Sequence, residues 1–153
     1  MKLIATLLAA INCFIYSAES SVVYKEYGFA ISPPIATYGP NGMVVSMLLN
    51  PNNHFSGNVN VMVQDFNGDI DAYDKLSQSQ FKEFKFKIVN MAKEKNVITY
   101  EYSGRQGQLD LHWYAKVFKK SNKFYLVTAT ALNQDWNEQK GALINSVNSF
   151  KFE

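Results

Sequence analysis

Three short connections constrain this chain more than any other feature. Four segments that read as strands, residues 86–93, 97–103, 109–119 and 124–131, are joined only by Glu94-Lys95-Asn96, residues 104–108 and residues 120–123. Links this short cannot carry the crossover that parallel neighbours need, so consecutive segments must run antiparallel as a meander. The clearest single strand signature lies upstream, where Val59, Val61 and Val63 alternate with Asn60, Met62 and Gln64. A period of two places one set on each face of a sheet.

Two helices are expected among these strands. Asn67-Gly68-Asp69 is turn chemistry, and the residues from there to Phe84 place Ile70, Tyr73, Leu76 and Phe81 near one face, with Asp71, Asp74, Lys75 and Lys82 elsewhere. Asp69 is the expected N-cap, its carboxylate accepting from free amides of the first turn. A second helix is read over residues 134–146, with Trp136, Leu143, Ile144 and Val147 on its apolar side. Nearer the amino terminus, residues 22–25 and 29–32 read as short strands stopped by Pro33-Pro34. The turn-rich residues 38–42 lead into an apolar run, 43–49, expected as a buried strand, and a polar loop, 50–57, follows. Helices set among hairpin-connected strands imply the α+β class, a central antiparallel sheet flanked by helices. Trp113, Tyr125, Trp136 and Phe150 lead the core candidates, while Trp113 and Tyr114 must point to opposite faces.

The first twenty residues read as a separate element. Lys2 precedes the apolar run 3–11, and small residues Ala18 and Ser20 follow, which are the three parts of a secretory signal peptide with the cut expected after Ser20. Ala10, Ile11 and Asn12 ahead of Cys13 depart from the pattern for lipid attachment. Residues 21–153 are then expected as one domain, periplasmic or secreted, with no stable membrane span after cleavage. Cys13 is the sole cysteine, so the mature chain holds no disulfide and no thiolate nucleophile. The net charge of +2 is too small to argue for nucleic acid as a partner.

The order of elements resembles the PsbP-like superfamily, which includes the photosystem II extrinsic protein, a nuclear Ran-binding factor and many small exported bacterial proteins. The residues that carry the resemblance are Tyr27-Gly28-Phe29-Ala30-Ile31-Ser32-Pro33-Pro34, Val59-Asn60-Val61-Met62-Val63 and the hairpin around Gly104. His112-Trp113-Tyr114, Tyr125-Leu126-Val127-Thr128-Ala129-Thr130 and the terminal helix running into Ser149-Phe150-Lys151 complete it. It spans nearly all of the mature chain. One departure is that Ile35-Ala36-Thr37 follows Pro34 where members often carry a tryptophan. The resemblance implies an antiparallel sheet between helices, export, and binding or assembly rather than catalysis. No functional residue is carried over from it.

Chemistry-bearing motifs are sparse. The run Asp65 to Asp71 gathers oxygen ligands, but an EF-hand needs glycine sixth and glutamate twelfth, and here Gly68 is fourth and Leu76 twelfth. No Gly-x-Ser-x-Gly elbow is present, and the sole arginine, Arg105, is expected in a hairpin turn. The expectation is therefore a non-enzymatic module that needs no cofactor and contacts a protein partner through residues 50–57 and 104–108. Asn53, His54, Phe55, Arg105 and Gln106 are its candidate contact residues. The competing expectation is a small exported hydrolase or metal-binding protein using His54, Asp110 and His112, imidazole and carboxylate being the usual zinc ligands.

Overall fold

The computed structural model describes residues 22–24, 28–31, 42–51 and 54–153. The chain divides into two units, Met1–Asn41 and Gly42–Glu153. The leader read over residues 1–20 and the candidate contact Asn53 lie outside the described residues. In the first unit, β1 (Val22–Tyr24) and β2 (Phe29–Ile31) pair antiparallel as a small hairpin.

The second unit is built on a six-stranded antiparallel sheet. Its strands are β3 (Gly42–Leu48), β4 (Asn58–Asp65), β5 (Lys87–Glu94), β6 (Val97–Gln106), β7 (Leu109–Lys120) and β8 (Lys123–Leu132), in the spatial order β3-β4-β8-β7-β6-β5. The meander expected from the short connections is β5 to β8. Helix α1 (Ile70–Glu83) joins β4 to β5, and α2 (Trp136–Asn148) follows β8. Asp69 caps α1 as expected, its carboxylate accepting from Ala72 N at 2.7 Å.

Strand parity sorts the core. On β8, Phe124 and Leu126 pack with Ile70, Tyr73 and Phe81 of α1, whereas Val127, Ala129 and Ala131 pack with Trp136, Leu143 and Val147 of α2. Side chains of opposite parity leave a strand on opposite sides, so each helix covers part of a different face. Leu143 and Val147 are fully buried on α2, and each stabilises the fold by roughly 1.5–3 kcal/mol. A third cluster, Leu111, Trp113 and Leu132 with Phe55, Phe86 and Tyr102, closes one end of the sheet. Trp113 is buried there, and Tyr114 is half-buried on the side of α2.

Three expectations are corrected. The apolar run 43–49 is not a buried strand: among the described residues β3 pairs only with β4, and as an edge strand it leaves Met47 and Leu48 49% and 70% exposed. Continuous apolarity cannot by itself distinguish an edge from a centre. Arg105 and Gln106 lie within β6 rather than in a turn, because the connection tightens to Gly107-Gln108, with Gly107 at φ 62 in the left-handed region that glycine enters at no steric cost. Asp74, read as lying off the apolar face, is buried.

Candidate functional site

The register brings the expected contact segments together. Asn58 lies opposite Thr130, Thr130 opposite Trp113, and Trp113 opposite Tyr102, so the β3–β4 connection and the β6–β7 hairpin leave the same end of the sheet. His54 is exposed there at φ 63, a strained conformation for a residue with a Cβ. Phe55 turns inward onto Leu111, Trp113 and Leu132 and anchors the connection. Arg105 and Gln106 are exposed on β6.

Sequence reasoning missed the apolar part of this surface. Phe84, just after α1, is 41% exposed and stacks on Phe86 at 5.7 Å; Phe86 in turn packs on Trp113 at 4.9 Å and on Tyr102 at 5.8 Å. A buried aromatic column thus surfaces at Phe84. Leu109, opposite Gln106 in the hairpin, is 42% exposed and borders a depression of about 260 Å³ shared with Gln108, Asp110, Leu132 and Gln134. The aromatic residues at 84 and 86 flank Lys85 and are visible in the sequence, but their stacking needs the left-handed turn at Lys85, φ 58.

Around the other face of this end lies the polar cluster that holds His112. The imidazole is buried and stacks on the Trp136 indole, ring centres 4.2 Å apart and planes 16° off parallel. Its Nδ1 lies 3.1 Å from Asn133 Oδ1, and its Nε2 lies 2.9 Å from Glu101 Oε1. Asn133 donates through Nδ2 to Asp110 Oδ2 at 3.2 Å, which fixes its amide with the oxygen toward the ring. Both ring nitrogens are therefore engaged by neighbouring side chains. Trp136 Nε1 donates to the same Glu101 oxygen at 3.2 Å. A buried indole N–H needs such a partner, a signal in the sequence that an acceptor had to lie nearby.

The arrangement fastens α2 to the sheet. His112 and Asp110 are linked as strand parity predicts, through Asn133, but His112 belongs to the face under α2 while Phe55, next to His54, packs on the other face. Among the described residues no three His, Cys, Asp or Glu side chains converge as metal ligands. The carboxylates of residues 65–71 also diverge: Asp65 pairs with Lys123 at 3.0 Å, Asp69 caps α1, and Asp71 pairs with Lys93 at 2.8 Å. No described helix is long and apolar enough to cross a membrane.

Comparison with solved structures places the architecture. PA94 of Pseudomonas aeruginosa, a protein of unknown function proposed as a regulator, matches with a TM-score of 0.63 at 12% identity, covering 88% of this chain and 96% of that one. Cyanobacterial PsbP (CyanoP) of Synechocystis sp. PCC 6803 matches with a TM-score of 0.44 at 12% identity, covering 85% and 89% respectively. The chain shares its fold with PA94. At this identity the likeness concerns the fold alone. No family profile matches the sequence, and no characterised protein matches it by sequence.

Proposed function

We propose that this protein is an exported, non-enzymatic binding module of the PsbP-like kind that contacts a protein partner through the end of the sheet where the β3–β4 connection and the β6–β7 hairpin meet. The observation that carries this reading is the composition of that end. Exposed Phe84 and Leu109 stand among His54, Arg105 and Gln106, above a rigid aromatic stack. An apolar centre with a polar rim and one arginine is the usual anatomy of a protein interface.

The non-catalytic reading is supported by the state of His112, whose ring nitrogens are both engaged by Asn133 and Glu101. Export rests on Lys2, the apolar run 3–11, Ala18 and Ser20.

Affinity capture from the native envelope fraction after crosslinking tests the proposal, comparing the wild-type chain with a Phe84→Ser/Arg105→Glu/Leu109→Ser variant whose folding is verified by circular dichroism. One protein captured by the wild type and lost from the variant is the expected result. Equal capture by both would remove the assignment of this surface.

A further inference from the structure

The opposite end of the sheet carries a second surface of different chemistry. Between Asp110 and Asp135 the chain has no acidic residue, and the β7–β8 hairpin within that stretch holds Lys116, Lys119, Lys120 and Lys123. The β5–β6 turn lies against it, Lys119 N donating to Asn96 O at 3.0 Å, and adds Lys95. Lys123 is neutralised by Asp65 at 3.0 Å. Among the described residues, Lys95, Lys119 and Lys120 form no ion pair.

These lysines leave both faces of the sheet. Lys119 Nζ is 5.8 Å from the Phe124 ring centre, on the face covered by α1; Lys120 Nζ is 4.4 Å from the Phe152 ring centre, on the face covered by α2. What the three cations share is the plane across the strand ends. A peptide or nucleic-acid strand laid along either face would meet lysines of one parity only, whereas a flat anionic surface across the tip meets all three. Phe152, 38% exposed, stands beside Lys120 on a cluster with Phe150 at 5.2 Å and Tyr125 at 4.9 Å. Aromatic rings flanked by lysines suit the boundary between headgroups and acyl chains.

We propose that this tip docks on an anionic phospholipid surface, Lys95, Lys119 and Lys120 meeting headgroup phosphates and Phe152 entering the interface. It leaves the protein-binding end facing away from the bilayer and does not depend on that end's assignment. Each lysine held near an anionic leaflet raises partitioning about fivefold, so three together contribute about a hundredfold.

Co-sedimentation of the full chain with vesicles of one part phosphatidylglycerol to two parts phosphatidylcholine, and with pure phosphatidylcholine, tests the proposal. Every variant keeps residues 1–20, so any affinity of that segment is common to all. The expected result is a preference for the anionic vesicles that falls about a hundredfold in Lys95→Gln/Lys119→Gln/Lys120→Gln and survives in the matching triple arginine variant, both folded by circular dichroism. Equal partitioning to the two vesicles, undiminished binding by the glutamine variant, or loss in the arginine variant would overturn it. So would retention of soluble polyglutamate by a protein that the anionic vesicles leave in the supernatant.

Discussion

Glu101 Oε1 lies 2.9 Å from His112 Nε2, and the same oxygen accepts from Trp136 Nε1 at 3.2 Å, so one carboxylate on β6 holds a residue of β7 and the first residue of α2. Glu101→Ala leaves two largely buried donors without their acceptor. Two unsatisfied groups at about 1–3 kcal/mol each predict a loss of about 2–6 kcal/mol in urea unfolding followed by tryptophan fluorescence. Glu101→Gln retains an oxygen acceptor and loses less.

A second prediction concerns pH. Asp74 is buried between α1 and the sheet, accepting from Tyr100 Oη at 2.7 Å, Gln78 Nε2 at 2.9 Å and Lys93 Nζ at 3.1 Å. Burial opposes its ionisation, but the bonds from Gln78, Tyr100 and Lys93 outweigh burial and hold the carboxyl below its ordinary value. Because the folded value is depressed, the stabilisation is complete above the unfolded value of about 3.9 and is lost as pH falls through the lower folded value. Asp74→Asn is therefore expected to cost about 1–3 kcal/mol at neutral pH, with a gap from wild type that narrows on acidification. A gap that widened toward acid would contradict the assignment.

These two clusters show where sequence reading reaches its limit. The meander, the alternation of β4, the Asp69 cap and the opposed directions of Trp113 and Tyr114 follow from local rules of period and turn length, and the structure has them. Helical spacing sets Asp74 off the apolar face but does not reveal that Lys93 and Tyr100 on two later strands enclose its carboxylate. Glu101, Asn133 and Trp136 meet around His112 only through strand register and the docking of α2, which are long-range relationships that residue spacing does not encode. The two connections are legible in the sequence, although Arg105 and Gln106 extend β6 rather than turn, whereas the exposure of Phe84 and Leu109 is not.

Packing at the proposed partner-binding end gives a third prediction. A Cβ on Gly104 would stand 2.5 Å from Phe86 Cδ1 and 3.3 Å from Phe86 Cα, so ring and backbone would both have to move. Gly104→Ala should destabilise the protein by about 1–3 kcal/mol and weaken the near-ultraviolet circular dichroism arising from Trp113, which packs on Phe86 at 4.9 Å.

The edge position of β3 gives a fourth. Met47→Lys and Leu48→Lys are each expected to change stability by no more than about 0.5 kcal/mol while reducing self-association, since an uncharged edge strand invites pairing and lysine blunts it. Chemical unfolding and light scattering measure the two effects. A large loss of stability would mean that the strand is covered.

The most direct test of the central claim is site-specific photocrosslinking in the native envelope fraction, with the photoreactive residue placed in turn at Gln106, at Leu109 and at Ser79 on the exposed side of α1. A discrete adduct to one protein from Gln106 and Leu109, and none from Ser79, is the predicted result. The same adduct from all three positions, or none from Gln106 and Leu109, would contradict a partner-binding surface at this end of the sheet.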